Sequence, residues 1–194
     1  MRFVGLDVAY RNVGVVILDP AGVCTYTAHL KCPAATDPQG FTWHRRQADQ
    51  LIQPEDVVAI EGMSFGSIGK THVLAGAHAY WLEASVRQGH LVFVPVPARV
   101  KLWAVGSTKA KKPEMIAWAR AELGAGAPVK LSEHEADALA LAQIAFTGYS
   151  LVHGSSLALT PERRQLFHTQ KQTGLLQVPD RSFYRGNDGQ GEAA

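Results

Sequence analysis

Residues 2–31 set three β-rich runs in immediate succession: RFVGLDVA, NVGVVILD and GVCTYTAHLK. The breaks between them fall at Tyr10-Arg11-Asn12 and Pro20-Ala21-Gly22. Connections this short cannot carry a parallel crossover, which takes a dozen residues or more, so the runs must pair as an antiparallel meander. Asp7 lies inside the first run, among residues that belong in a core. A carboxylate in that position must be paired, protonated or bound to a metal.

The chain then changes rhythm. Residues 33–38 read as a loop and 41–53 as an amphipathic helix. Residues 56–62, DVVAIEG, form a short apolar run of the buried parallel type, ended by Glu61. A helix over 71–88 carries Val73, Ala77 and Trp81 on one stripe, with Gly76 and several alanines permitting close packing. Another buried strand over 91–96 is stopped by Pro95 and Pro97. Short helices over 98–105 and 113–123 follow, with a linker at 124–131. The order βββαβαβ describes a mixed five-stranded α/β sheet, a meander extended by parallel strands, with helices on both faces.

Residues 133–142, EHEADALALA, open the last long helix, which is expected to end near 147–148. Ser132 with Glu135 three residues on makes a capping box. His134 and Asp137, three apart, share one helical face, and Glu133 lies on nearly the same one. The residues behind them are small and apolar, the composition of a helix pressed against a sheet.

Charge and composition narrow the partners. With 46% hydrophobic and 19% charged residues the chain is an ordinary globular one, and its net charge of +2 points to no partner. The distribution says more: residues 99–130 hold seven bases (Arg99, Lys101, Lys109, Lys111, Lys112, Arg120, Lys130) against Glu114 and Glu122. Such a stretch in a balanced chain suits a polyanion. Cys24 and Cys32 lack a second Cys/His pair at zinc spacing and read as reduced thiols. No apolar run is long enough to span a bilayer, and no signal peptide is expected, so the sequence places the protein in the cytoplasm, without a membrane partner.

One motif invites a different reading. Residues 64–71, SFGSIGKT, nearly fit the phosphate loop G-x-x-x-x-G-K-[ST], but Ser64 replaces the first glycine and the segment follows the fourth strand. The expectation is a glycine-rich loop that sets Phe65 beside the site and leaves Lys70 free for a phosphate. A P-loop or actin-like nucleotide phosphotransferase is the alternative of another class; failure to bind millimolar ATP would end it.

Asp7 on the first strand, Glu61 on the fourth, and His134 with Asp137 on the last long helix add up to the acid set of a ribonuclease H-like nuclease. Mg²⁺ takes hard oxygen ligands and keeps several waters. Two such ions about 4 Å apart clamp the attacking and leaving oxygens of an in-line phosphodiester displacement. Asp7, on the central strand, is the candidate bridging ligand. A histidine ligand also suits Mn²⁺.

Over residues 2–147 the sequence resembles the RuvC-type Holliday junction resolvases. The matching pieces are F-V-G-L-D with Gly14 on the second strand, A-I-E with Phe65 following, V-K and a second lysine around Gly106 (Lys101, Lys112), and A-D-A-L-A with His134 three residues before Asp137. Three features depart from that pattern: Val8-Ala9 replaces the usual Pro-Gly, Phe65 lies four residues after Glu61 rather than three, and the loop after Lys101 is one residue shorter. The resemblance implies a homodimeric endonuclease, dependent on two Mg²⁺ or Mn²⁺ ions, that cuts four-way DNA junctions and leaves 5′-phosphate nicks. It implies metal binding by Asp7, Glu61, His134 and Asp137, phosphate contacts by Lys101 and Lys112, and base stacking by Phe65. Arg99, Lys109, Lys111 and Lys70 complete the expected DNA-binding set. A nuclease of the same fold acting on flaps, branched DNA or RNA–DNA hybrids remains the nearest alternative. Residues 1–148 are expected to form the nuclease domain. Residues 149–194 then form a C-terminal extension with a basic helix over 160–171 and a disordered end.

Overall fold

The structure, a computed structural model, describes residues 1–63, 71–89, 91–167 and 175–176. Strands β1 (Phe3–Val8), β2 (Asn12–Leu18) and β3 (Cys24–Lys31) form the expected antiparallel meander. The first hairpin closes through Ala9 and Asn12, whose main chains exchange hydrogen bonds of 2.9 and 3.3 Å. In the second, Asp19 Oδ1 accepts from the amides of Ala21 and Val23, both at 2.9 Å, while Gly22 takes a positive φ. The register sets Asp7 opposite Gly14 and Gly14 opposite His29.

Strand β4 (Val57–Ile60) lies parallel to β1 on its other side, and β5 (Leu91–Phe93) parallel to β4. The five strands expected from the sequence are thus present. A two-residue strand from the C-terminal segment, β6 (Leu175–Leu176), adds antiparallel to β5 and completes the order β3-β2-β1-β4-β5-β6.

Side chains of successive strand residues point to opposite faces, and both faces of β1, β2 and β4 are buried. Val4, Leu6 and Val8 pack toward α1 (Asp37–Leu51) and α2 (Thr71–Gln88), among Ala48, Ile52, Trp81 and Ala84. Phe3, Val16, Leu18, Val57 and Ala59 pack toward α5 (Glu133–Val152), with α3 (Pro97–Val105) and α4 (Lys112–Leu123) around it. Helix α1 begins four residues earlier than the periodicity predicts, because Thr36 and Pro38 start it and Gly40 is buried under Tyr10. Helix α3 ends at Gly106, which takes the left-handed conformation that glycine adopts without strain.

Helix α5 runs to Val152, past the predicted end near 147–148, because Gly148 is buried against Phe93 and does not break the helix. Its small residues serve its approach to the sheet. A Cβ on Gly5 would overlap the Ala138 carbonyl, and one on Gly14 would overlap the His134 carbonyl. Two strand glycines therefore let the helix backbone rest on the sheet backbone.

In the C-terminal segment a short helix, α6 (Pro161–Gln165), is capped by Thr160. Arg163 stacks over Trp103 of α3, 4.6 Å from the ring centroid, and donates from Nε to its carbonyl at 3.0 Å. Leu166 then enters the core beneath α5. The remainder of the expected basic helix beyond 167, and the expected disordered end, lie outside the described residues. No described helix is long and apolar enough to cross a membrane.

Candidate active site

Alternation along the strands places the acids. With Phe3 on the α5 face of β1, Asp7 is on that face too, at the end of the strand. Val57 and Ala59 set the same parity on β4, so Glu61, one residue past it, faces the same way. The pairing of Leu6 with Ile60, continued by the Glu61 amide donating to the Leu6 carbonyl at 3.0 Å, sets the two carboxylates side by side.

The capping box fixes the third wall. Ser132 Oγ accepts from the Glu135 amide at 3.2 Å, and Glu135 Oε2 accepts from the Ser132 amide at 2.8 Å. With α5 started at that residue and lowered onto Gly14, His134 meets the end of β1 and donates from Nδ1 to Asp7 Oδ2 across 2.6 Å. Asp137 follows one turn later. All four predicted ligands line one cavity of about 230 Å³.

Lys101 of α3 and Lys112 at the start of α4 line the same cavity. Lys112 Nζ donates to Glu133 Oε1 at 2.8 Å, so Glu133 faces the cavity's rim and the lysine. Lys109 and Lys111 are exposed on the α3–α4 connection, and Arg99 is half-buried on α3. Phe65 and Lys70 lie outside the described residues, as does all of the near phosphate-loop motif except Thr71.

The electrostatics of the cavity are those of crowded, buried acids. Burial, reinforced by the carboxylates of Asp7 and Asp137, pushes Glu61 up to about 9. Burial and then Asp7 push Asp137 up to about 7. The hydrogen bond to Asp7 raises the His134 imidazole above its usual range. Glu61 and Asp137 thus hold protons where nearby cations are insufficient. Asp137 Oδ1 is buried and has no hydrogen-bond partner. Among the described residues no three of these side chains converge on a ready-made ion position. His134 and Asp7 satisfy one another instead. Hard carboxylate oxygens, one imidazole and an orphaned buried oxygen are nevertheless the donor chemistry of a divalent cation site.

No family model matches the chain, and no curated protein matches its sequence. Solved structures do. RuvC of Thermus thermophilus aligns with a TM-score of 0.62 at 20% identity, over 82% of this chain and 100% of that one. The chain has a RuvC-like fold. A second structure, T. thermophilus RuvC in complex with a Holliday junction substrate, aligns with a TM-score of 0.61 at 19% identity, over 78% of this chain and 94% of that one. In the RuvC-like frame the cavity lies where β1, β4 and the N-terminus of α5 meet.

Proposed function

We propose that the protein is a structure-selective DNA endonuclease that resolves four-way junctions by metal-dependent phosphodiester hydrolysis, leaving 5′-phosphate nicks. The observation that carries this reading is the convergence of Asp7, Glu61, His134 and Asp137 from β1, β4 and α5 in one cavity of a RuvC-like fold. The likeness to a RuvC bound to a Holliday junction supports the substrate class.

Asp7, Glu61, His134 and Asp137 would hold two Mg²⁺ or Mn²⁺ ions. Such ions, when bound, supply an activated water and stabilise charge on the leaving oxygen. The chain's own residues do the rest. Glu61 and Asp137 would give up their protons, so that the site would present acceptor-only oxygens to the cavity. His134 would lose one proton, as a neutral imidazole ligand requires. Lys101 and Lys112, both on the cavity wall, hold the scissile phosphate, while Arg99, Lys109 and Lys111 continue the basic surface along α3 and α4. Phe65, four residues after Glu61 in sequence, would stack on a base at the opened crossover. Two copies acting as a homodimer would cut the two strands of a junction symmetrically.

Labelled four-way junction, flap and RNA–DNA hybrid, each incubated with Mg²⁺ and with Mn²⁺, test the reading. Paired symmetric nicks in the junction are expected. Cleavage confined to flap or hybrid would keep the chemistry and replace the substrate, and no cleavage of any of them would overturn the proposal.

A further inference from the structure

The strand ends that carry Asp7 and Glu61 are held, from the face opposite α5, by two buried histidines that belong to no motif. His78 of α2 brings Nε2 within 2.9 Å of the Glu61 main-chain carbonyl. A carbonyl only accepts, so Nε2 bears the proton. One helical turn on, Trp81 Nε1 donates to His44 Nδ1 at 3.0 Å. His44 in turn donates from Nε2 to the carbonyl of Tyr10, three residues after Asp7, at 2.9 Å. Both rings are buried, and burial holds both below the usual histidine range, which keeps them neutral in these roles.

The His78 bond comes where the sheet stops supporting the chain. The β1–β4 pairing ends at Leu6 and Ile60, and Glu61 stands one residue beyond it. Its amide still reaches the Leu6 carbonyl at 3.0 Å, and the next amide, of Gly62, reaches the Pro95 carbonyl at 2.8 Å. Its own carbonyl points away from both and is met by His78. A strand end fixed on three sides holds its side chain in one place. Removing one anchor leaves a buried carbonyl unpaired and lets the end relax.

We propose that His78 is a positioning residue for the metal site: its Nε2–H···O=C bond to Glu61 sets where the Glu61 carboxylate stands beside Asp7, and so how tightly the cavity holds a divalent ion. The inference rests on reading the cavity as a metal-dependent nuclease site. Through His78 and Trp81, α2 touches the ends of both acid-bearing strands.

Three substitutions separate the donor from the bulk. His78→Gln places an amide N–H at a reach close to that of Nε2. His78→Asn places it too short, and His78→Met keeps the volume without a donor. Mn²⁺ affinity is read by calorimetry on the DNA-free protein, and kcat and KM on the four-way junction, with thermal melts confirming folding. His78→Gln is expected within about threefold of wild type, whereas Asn and Met lose on the order of 30-fold in Mn²⁺ affinity and kcat at unchanged KM, as outer ligand-orienting groups do. Wild-type Mn²⁺ affinity and kcat in His78→Met, or equal losses in Gln and Met, would overturn the inference. If Met does not fold, equal affinities in Gln and Asn would do so. A wild-type protein that neither binds Mn²⁺ nor cuts the junction would instead remove the nuclease reading beneath it.

Discussion

His134 donates from Nδ1 to Asp7 Oδ2 across 2.6 Å and so ties the first turn of α5 to the end of β1. The bond raises the imidazole above its usual pKa, while burial pushes Glu61 up to about 9 and Asp137 up to about 7. On the proposed metal-binding reading, a bound cation would take the place of these protons. Metal binding must therefore expel them, and Mn²⁺ affinity should rise as pH rises from 6 to 9, by about tenfold per pH unit for each proton displaced. Calorimetry in buffers of differing ionisation enthalpy counts the protons released. Affinity independent of pH over that range would mean that these side chains are not the ligands.

The same crowding makes the metal-free site a burden on the fold. Glu61 holds its proton more tightly folded, near 9, than unfolded, near 4.5, so the folded state binds more protons between those values. Stability contributed by this group is complete below the unfolded pKa and is lost as pH rises through the folded one. Glu61→Gln, which stays neutral, should raise the melting temperature of the metal-free protein by about 5 °C at pH 8. The gain should vanish near pH 4. A variant less stable than wild type at pH 8 would contradict this electrostatic picture.

Much of this was legible in the sequence. The short breaks over residues 2–31 force antiparallel pairing, and the core runs ending at Asp7 and Glu61 place both acids at strand ends. The capping box fixes the start of α5, and with it the phase of His134 and Asp137. Other features depend on contacts between distant residues. Gly148 reads as a helix stop until Phe93 is found packed on it. Spacing left Glu133 and His134 competing for one place; the structure turns Glu133 to Lys112 and His134 to Asp7. Nothing in the sequence singles out His44 or His78, because nothing local reveals a side chain that meets a carbonyl 34 or 17 positions away.

The glycine under His134 offers a test of how closely α5 must approach. Gly14→Ala should push the helix start off the sheet, costing about 1–3 kcal/mol of stability and abolishing detectable cutting. Gly126→Ala, where a Cβ meets open space, serves as the control and should be neutral. Chemical denaturation and junction cleavage on both variants provide the check. Full activity in Gly14→Ala would show that the close approach is dispensable.

Lys112 is exposed and paired with Glu133, which raises its pKa, so it stays charged at the cavity rim. Lys112→Ala should leave the melting temperature unchanged, weaken junction binding, and reduce the slope of log affinity against log salt by about one, the loss of a single phosphate contact. Binding measured from 50 to 200 mM salt reads this directly. An unchanged slope would remove Lys112 from the DNA contact set.

Asp7 joins both adjacent walls of the cavity, standing beside Glu61 and accepting from His134. Asp7→Asn keeps the shape of that side chain and removes its charge. Junction binding and junction cleavage should be measured together, on the wild type and this variant, in Mn²⁺. Wild type should place paired symmetric nicks, and Asp7→Asn should bind the junction as tightly while cutting it at least a thousandfold more slowly, roughly 4 kcal/mol of lost transition-state stabilisation. Cleavage by Asp7→Asn at the wild-type rate would contradict the site described.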